Sequence, residues 1–404
     1  MEGLAPAPGG IFLDGTTGAG GHAAEIAAKV GPEGLLVCAD DDPSMLEIAG
    51  RRLLAFPWVR LVRSDFADLD ALREAAGGRT FDGALLDLGI SSLQLDDPAR
   101  GFSFRVEGPL DMRRDPDGDG PTAAEVLRDT REKDLADLFY RFGEERFSRR
   151  IARAVVERRK REPIRTTTGF AELVSSAIPR RAWPRDIHPA TRVFQALRIA
   201  VNRELSSLEA FLGAIPRHLS PGGRVAVISF HSLEDRMVKT AFRRPAAGPG
   251  EEPTLERLTR KPVVPSEREA RENPRARSAK LRVARRYDGG DGHEKDDRWK
   301  RRVHDHGDPE GAPGGSCGPP TARIRHTGPG PSLHWPVQRL AVGPVHSYGI
   351  PGLLRPRGEA HPSEGAGGSP AGGARAEEPR PHPRHRPERP AHGARADGPG
   401  DPVR

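Results

Sequence analysis

Acidic side chains mark the ends of several short apolar runs near the start of this 404-residue sequence. Asp14, Asp40 and Asp87 each stand where such a run stops. Ligands of parallel α/β sheets bind outside the carboxyl ends of the strands, so we expect these three carboxylates to face one crevice. Together they could accept hydrogen bonds from amino and hydroxyl groups of a ligand.

A glycine-rich segment, Asp14–His22, lies between the first apolar run and a stretch with helical spacing. Gly18, Gly20 and Gly21 would let the backbone turn tightly and approach a ligand closely. A nucleotide-derived cofactor is therefore expected at this loop. The glycine pattern alone also fits a nicotinamide dinucleotide, so an NAD-dependent oxidoreductase is an alternative.

The carboxylates on either side of the loop bear on this choice. A loop that cradles pyrophosphate has no use for the negative charge of Asp14, whereas a cofactor with an amino group does, which favours S-adenosylmethionine. Asp40, twenty positions after Gly20, could accept hydrogen bonds from the ribose of either cofactor. The competing interpretation is that Asp14 only caps the following helix.

Asp87 begins a segment rich in small polar residues, with Ser91 and Ser92 close behind it. A carboxylate at this strand end could accept a hydrogen bond from an exocyclic amine and make its nitrogen a better nucleophile. Loop amides could equally satisfy it. His231 follows a later apolar run, and we expect it at the site, with a hydrogen-bonding role preferred over that of a general base.

The elements that must position these residues begin with alternating strands and helices over residues 11–96. This rhythm predicts a parallel, Rossmann-like α/β sheet with crossover helices. The predicted strands are Ile11–Leu13, Leu35–Ala39, Val59–Val62 and Ala84–Leu88, with a helix at Ala23–Val30.

Helical patterns replace this rhythm after Pro98. Helices are predicted from a capping box at Thr122–Glu125 through Lys160, and then at Phe170–Ile178 and Arg192–Leu212. A turn at Pro221–Gly223 precedes a strand at Arg224–Phe230, and Ala279–Val283 is predicted to be an edge strand. The sheet therefore resumes after a helical insertion.

Composition limits the kind of protein. Gly, Pro, Arg and His dominate residues 301–404, which predicts a low-complexity, disordered tail. The formal charge of +7 suggests a polyanionic partner. Two cysteines without a CxxC or Cys/His cluster give no support for a metal site. Neither a signal-like start nor a membrane-length apolar run occurs, so a cytoplasmic protein without a membrane partner is expected.

Several sequence blocks, in one order, resemble the bacterial 16S rRNA cytosine-N4 methyltransferases of the RsmH (MraW) family. The blocks are Asp14–His22, Asp87–Gln94, Arg100–Arg105, Gly108–Arg113, Tyr140–Phe147, His188–Asn202, Ser229–Arg236 and Glu272–Leu281. The resemblance implies a class I S-adenosylmethionine-dependent methyltransferase sheet with an inserted all-helical domain. The implied divisions are residues 1–97 and 201–288 for the two parts of the methyltransferase domain, 98–200 for a substrate-recognition insertion, and 289–404 for the tail.

The resemblance also assigns roles. It implies N4-methylation of a cytosine in the P-site region of 16S rRNA in the small subunit. Our own hypothesis, from the chemistry of the amine, is that Asp87 accepts its hydrogen bond. The cofactor contacts carried over are Gly20, Gly21, His22, Asp40, Phe66, Asp87 and Gln94, beside Asp14 and Gly18 of the loop. The candidate catalytic set is Asp87, Ser91, Ser92 and His231.

Substrate contacts are expected on the insertion. Phe102, Phe104 and Arg105 combine aromatic rings with positive charge, as in recognition of an unstacked base, although anchoring of the loop is preferred for the two rings. A polar stripe, spaced 3, 3 and 4, is expected beside the cleft: Arg192, Gln195, Arg198 and Asn202. The basic run between Arg146 and Arg161 is expected to contact phosphates.

The sequence departs from the family at its start, where Met1–Pro8 lacks the usual His-x-Pro-Val-Leu-Leu pattern. Either the start codon is placed too late or a helix has been lost. A catalytically impaired RNA-binding relative is therefore a further alternative to the active enzyme. A homodimer is also expected for sheets of this kind.

Overall fold

A computed structural model of the chain describes residues 1–243 and 253–287, together with the backbone of a two-residue strand at 338–339. The predicted disordered tail, residues 289–404, otherwise lies outside the described residues. In the described part, no helix is both long and apolar enough to cross a membrane.

A mixed sheet with the strand order β6-β7-β5-β4-β1-β2-β3-β8 forms the centre of the protein. In this order, the six strands β5, β4, β1, β2, β3 and β8 are parallel to their neighbours in that series. β7 runs antiparallel to both β5 and β6. The register places Asp14 beside Leu85, so the carboxyl ends of the central strands meet at one edge. The strands are β1 (Ile11–Asp14), β2 (Leu35–Asp40), β3 (Val59–Arg63), β4 (Phe81–Asp87), β5 (Leu219–Ser229), β6 (Thr254–Arg257), β7 (Lys280–Tyr287) and β8 (Gln338–Arg339).

Helices cover both faces of the sheet, as its apolar strands require. One face packs against α1 (Gly21–Val30) and α2 (Pro43–Arg52). The other packs against α3 (Leu69–Ala75), α10 (Glu204–His218) and α11 (Ser232–Ala241). This arrangement is the three-layer α/β architecture predicted from the alternation of apolar runs.

A second hydrophobic core is built by helices between β4 and β5. Phe139, Phe170 and Phe194 lie at its centre, together with apolar residues of the loop that contains Phe102. The helices are α4 (Ser92–Asp96), α5 (Ala123–Asp129), α6 (Glu132–Gly143), α7 (Ser148–Arg159), α8 (Thr167–Ala177) and α9 (Thr191–Val201); α12 (Glu267–Glu272) lies later in the chain. We call residues 98–201 the helical lobe.

Two sequence predictions are wrong in detail. The segment predicted as one helix, Arg192–Leu212, is broken into α9 and α10, because Arg203 adopts a left-handed conformation with φ 52°. The predicted edge strand, Ala279–Val283, belongs to β7, which lies inside the sheet between β5 and β6. Alternation shows that a strand has two different faces but does not show how many neighbours it has.

Candidate functional site

A cavity of about 450 Å³ opens at the carboxyl ends of the central strands. Its walls come from the glycine loop, the acidic turn after β2, and the segment after β4. Phe230, at the end of β5, closes one side. Cavities of about 300–1,000 Å³ at this point of an α/β sheet commonly hold small molecules and cofactors.

The glycine loop adopts a conformation that its sequence requires. Gly20 has φ 79° and precedes the first residue of α1, a backbone region that residues with a Cβ atom rarely adopt. At Gly15 a Cβ atom would lie 2.6 Å from Cδ2 of Leu86. The loop thus turns tightly over the sheet and leaves its amides beside the cavity. Gly18, Gly21 and His22 line the cavity, whereas Gly20 does not and lies against Ala49; the predicted cofactor contacts of the loop stay a prediction.

Asp40 joins the loop to the next strand. Its Oδ2 accepts a hydrogen bond of 2.8 Å from the amide of Gly18, and its Oδ1 accepts one of 3.0 Å from the amide of Asp42. Burial raises the pKa of the Asp40 carboxyl, while these two amides lower it. Asp40 also lines the cavity, so the predicted contact with a ribose stays a prediction that its position favours.

Asp42 binds two side chains of the segment that follows β4, next to the cavity. Its side chain is fully buried, and its Oδ1 accepts hydrogen bonds from the amide and hydroxyl of Ser44. Its Oδ2 accepts 2.7 Å bonds from Nε2 of Gln94 and from Nη1 of Arg100. Gln94 lines the cavity, but its amide is already engaged with Asp42 and, through Oε1, with the amide of Ser91. Gln94 therefore shapes the wall from within.

Asp87 lines the cavity, and one of its carboxylate oxygens has no hydrogen-bond partner in the described part of the chain. This oxygen, Oδ1, is buried, and Oδ2 lies 3.6 Å from Nδ1 of His22. Burial raises the pKa of the Asp87 carboxyl, His22 lowers it, and Glu234 raises it further. A carboxylate held this way can accept a hydrogen bond or a proton from a bound amine.

The two serines near Asp87 differ in position. Ser91 lines the cavity and caps α4, because its Oγ accepts a 3.1 Å bond from the amide of Gln94. Ser92 is exposed and does not line the cavity. Its predicted catalytic role is therefore not supported by the structure.

Asp14 lies behind the cavity wall, which corrects the expectation that all three carboxylates would face the crevice. The residue is 1% exposed, and its Oδ1 accepts a 3.2 Å bond from the amide of Thr16. Its Oδ2 has no partner among the described residues. Burial raises the pKa of this carboxyl to about 7, the Thr16 amide opposes the shift, and the charges of Asp87 and Asp40 add to it.

Replacing Asp14 by asparagine is expected to stabilise the protein more at pH 8 than at pH 5. The folded chain holds the Asp14 proton up to about pH 7, while the unfolded chain loses it near pH 3.8, so the wild type loses stability as pH rises between these values. Urea unfolding of both proteins at the two pH values measures the effect. The stability gain of Asp14→Asn should grow by about 2–3 kcal/mol from pH 5 to pH 8. A gain independent of pH would contradict the assignment.

Arg114 is a cavity residue that the sequence reasoning missed. It lines the cavity and pairs with Asp41 through a 2.8 Å contact from Nη2 to Oδ2. Its buried Nε has no hydrogen-bond partner in the described ranges. Asp41 and Asp65 raise the pKa of the guanidinium against the opposing effect of burial. No local pattern marks Arg114, because its carboxylate partners come from distant strand ends.

Phe66 forms an apolar part of the wall. It is buried against Phe211 in an edge-to-face contact with 5.8 Å between ring centroids, and it also lines the cavity. This position agrees with the expected contact with adenine, which stays a prediction.

His231 begins α11 and does not line the cavity. Its Nδ1 accepts a bond from the amide of Glu234, and its Nε2 lies 3.1 Å from Oε1 of the same residue. Glu204 also lies close: one of its carboxylate oxygens is within 4.8 Å of a ring nitrogen of His231 and of a carboxylate oxygen of Glu234. Arg198 already occupies both Glu204 oxygens at 2.8 and 2.9 Å, so this cluster is balanced by a guanidinium. This arrangement agrees with the hydrogen-bonding role preferred for His231, and a catalytic role stays a prediction.

Most residues predicted to contact the substrate pack inside the helical lobe. Phe102 is buried, and Phe104 meets Phe194 with 4.6 Å between ring centroids. The preferred anchoring role therefore fits both rings, and their positions give no support to a contact with the substrate. Arg105 is exposed.

The expected polar stripe on α9 is wrong as a single surface. Arg198 binds Glu204, and Asn202 donates a 2.8 Å bond to the carbonyl of Met112 while accepting one from the amide of Arg114. Gln195 donates to the carbonyl of Phe142. Only Arg192 of the stripe is exposed. The other three side chains form hydrogen bonds to neighbouring segments instead. The prediction failed because a spacing of 3 and 4 places residues on one face of a helix but does not show what covers that face.

Known proteins are similar in sequence to this chain over most of its described part. The profile of the MraW methylase family matches residues 1–287. A protein of Trichlorobacter lovleyi named ribosomal RNA small subunit methyltransferase H is 50% identical over 296 residues, covering 70% of this chain and 94% of that protein. A protein of the same name from Gloeobacter violaceus is 52% identical over 287 residues, covering 71% and 85%.

The similarity to solved structures is weaker. An rRNA methylase from Streptococcus thermophilus is 11% identical, with a TM-score of 0.31 and coverage of 71% of this chain and 90% of that chain. The N-methyltransferase NodS from Bradyrhizobium japonicum is 9% identical, with a TM-score of 0.31 and coverage of 71% and 90%.

Proposed function

The chain belongs to the MraW methylase family, and from this premise we propose that it transfers a methyl group from S-adenosylmethionine to N4 of a cytosine in the P-site region of 16S rRNA. The observation that carries the proposal is the Asp87 carboxylate, which lines the cavity at the end of β4 beside the glycine loop and has one oxygen without a hydrogen-bond partner in the described chain. The relatives named above are small-subunit rRNA methyltransferases by their names.

The residues present suit this cofactor. The glycine loop leaves room for a nucleoside, and carboxylates around the cavity favour a cationic group over a pyrophosphate. Among the residues that line the cavity, Asp87 and Arg114 each have a side-chain atom without a hydrogen-bond partner in the described chain, Oδ1 and Nε respectively. In the proposed complex His22 and Asp40 border the cofactor and Phe66 contacts its adenine.

The bound cofactor supplies a methyl group on a sulfonium, which is already activated for displacement. The cytosine amine is a weak nucleophile, because its lone pair is delocalised into the ring. Asp87 accepts a hydrogen bond from this amine and takes its proton as the nitrogen–carbon bond forms and the carbon–sulfur bond breaks. His22, 3.6 Å from Asp87, keeps the carboxylate oriented and partly counters the rise in its pKa. Alignment of the two reactants within the cavity provides the remaining rate enhancement.

The RNA lies, in this proposal, against the helical lobe. Exposed arginines of α7 and the exposed Arg105 and Arg192 neutralise phosphates, so binding weakens steeply as salt rises. The enzyme acts in the cytoplasm on the small ribosomal subunit or its rRNA. A homodimer stays a prediction.

Two alternatives make different predictions. An NAD-dependent oxidoreductase would need its pyrophosphate at the glycine loop, where Glu25 and Asp87 add negative charge to the cavity and repel it. Titration calorimetry with S-adenosylmethionine and with NADH separates these two. A catalytically impaired relative would bind the cofactor and RNA without transferring the methyl group.

Methyl transfer to small subunits from a strain that lacks the modification is expected with tritiated S-adenosylmethionine. The label should be found in N4-methylcytidine after nuclease digestion and mass spectrometry, and Asp87→Ala should give none. Subunits that already carry the modification are the matched control. Label on another base, or none despite tight cofactor binding, would overturn the proposal.

A further inference from the structure

A second cavity, of about 380 Å³, lies in the helical lobe and shares no lining residue with the cofactor cavity. We call it the arginine pocket. It is formed where α7 and α9 begin and where the chain leaves α8. Its chemically distinctive walls are Glu145, Arg146, Phe147, Trp183, Arg185 and Arg192.

The pocket carries an excess of positive charge. Arg146, Arg185 and Arg192 form no ion pair with any residue that the structure describes. Glu145 is buried, and its Oε1 accepts a 2.8 Å bond from the amide of Phe147, which engages the one carboxylate among the walls. The N-termini of α7 and α9 add partial positive charge, and neither has a side-chain cap. The pocket therefore favours an anion with several acceptor oxygens.

Aromatic rings form the rest of the wall. Trp183 is held in place because its Nε1 donates a 3.1 Å bond to the carbonyl of Ile178 and the Arg180 guanidinium lies 4.4 Å from its ring centroid. The Arg146 guanidinium lies 5.1 Å from the ring centroid of Phe147. Proteins that bind single-stranded RNA commonly combine guanidinium groups with aromatic rings. The guanidinium groups bind phosphates, and the bases stack on the rings.

The arginine pocket lies close to the cofactor cavity. Glu144, next to the pocket residue Glu145, accepts a 2.8 Å bond from Oγ of Ser232 and pairs with Arg236. Ser232 stands two residues after Phe230, which lines the cofactor cavity. This contact joins the residue after α6, which precedes the pocket residue Glu145, to the beginning of α11. An RNA chain whose target base enters the cofactor cavity would therefore pass the arginine pocket.

We propose that the arginine pocket binds a nucleotide of the RNA substrate near the target cytosine, with its phosphate on the three arginines and its base against Trp183. This inference rests on the proposed function, since it takes RNA as the substrate. A free mononucleotide shares the same chemistry, and the experiment below separates the two.

The test replaces two exposed arginines, Arg146→Gln with Arg192→Gln, in the full chain. Filter binding of a single-stranded 16S rRNA fragment should weaken by at least about tenfold, and the slope of log K against log salt should fall by about 1.4, or 0.7 for each lost phosphate contact. Calorimetric affinity for S-adenosylmethionine should be unchanged. The matched control, Arg51→Gln with Arg73→Gln on α2 and α3, loses the same charge and should keep both the affinity and the slope.

The ring is tested separately. Trp183→Leu should weaken RNA binding on the order of tenfold, and Trp183→Phe should restore most of it, because stacking needs an aromatic face. A loss of fold would lower cofactor affinity as well, whereas loss of a nucleotide contact leaves it intact. The salt slope should not change in either Trp183 variant.

The outcomes distinguish this inference from the proposed function. Wild-type protein that binds RNA without methylating it would defeat the proposed function, and filter binding would still test the pocket. Unchanged RNA affinity in the double arginine variant, or an equal loss in the control, would overturn the pocket. Adenosine monophosphate that binds the wild type but not the double variant, with RNA binding unchanged in both, would assign the pocket to a free nucleotide and also overturn it.

Discussion

Asp87→Asn is expected to lower the rate of methyl transfer by about 10²–10⁴, the usual contribution of a positioned general base. Asparagine keeps the size of the side chain but cannot take the proton of the cytosine amine. Single-turnover transfer to saturating small subunits measures the effect, and calorimetry shows how much cofactor affinity remains. The matched control is Asp82→Asn, which makes the same change at the other end of β4.

The pH dependence of the wild type provides a second measurement on Asp87. Because burial raises its pKa, the active carboxylate form is lost as pH falls through that raised value. The transfer rate should therefore fall on the acid side and level off at higher pH. A rate in Asp87→Asn within a fewfold of wild type would remove this residue from the mechanism.

Arg100→Met is expected to lower the free energy of unfolding by about 3–5 kcal/mol, the usual effect of removing one partner of a buried ion pair. Arg100 contacts the fully buried carboxylate of Asp42, and its Nη2 donates to the carbonyls of Arg113 and Arg114. The variant leaves that carboxylate without its cation and two carbonyls without their donor. Urea unfolding at pH 7.5 measures the loss.

The exposed Arg105, five residues later, offers a control within the same loop. Arg105→Met should change the free energy of unfolding by less than about 0.5 kcal/mol. A second check uses pH. The pKa of Asp42 is lowered despite its burial, by its hydrogen bonds with Ser44, Gln94 and Arg100, so the stability that this carboxylate contributes is lost as pH falls through its folded value. Equal losses in the two arginine variants would contradict this role for the ion pair.

The strand ends and the loop were predictable because their causes are local. Apolar runs stop at Asp14, Asp40 and Asp87, and a parallel sheet brings its strand ends together whatever the rest of the chain does. The glycines of the loop mark positions where the backbone must turn or approach closely. These local rules were enough to predict the cavity and two of its carboxylates, Asp40 and Asp87.

The remaining features depend on contacts between distant segments. Nothing near Arg114 shows that it will meet Asp41, and nothing near Asn202 shows that it will bind the backbone of the segment around Met112. The spacing on α9 is the same whether water or another element covers the stripe. Asp14 was misplaced for a similar reason, since a strand end can point into the cavity or remain behind its wall.

The contacts of Asp42 and Arg114 have a thermodynamic consequence. Arg100 and Arg114 precede the helices that are expected to bind RNA. They form ion pairs with Asp42 and Asp41, in the turn after β2 beside the cofactor cavity. If bound RNA strengthens or weakens these ion pairs, it must change the affinity of the protein for S-adenosylmethionine. Linkage then requires S-adenosylmethionine to change the affinity for RNA by the same factor. The two ligands would thus bind cooperatively through a few buried ion pairs, without touching each other outside the reacting atoms.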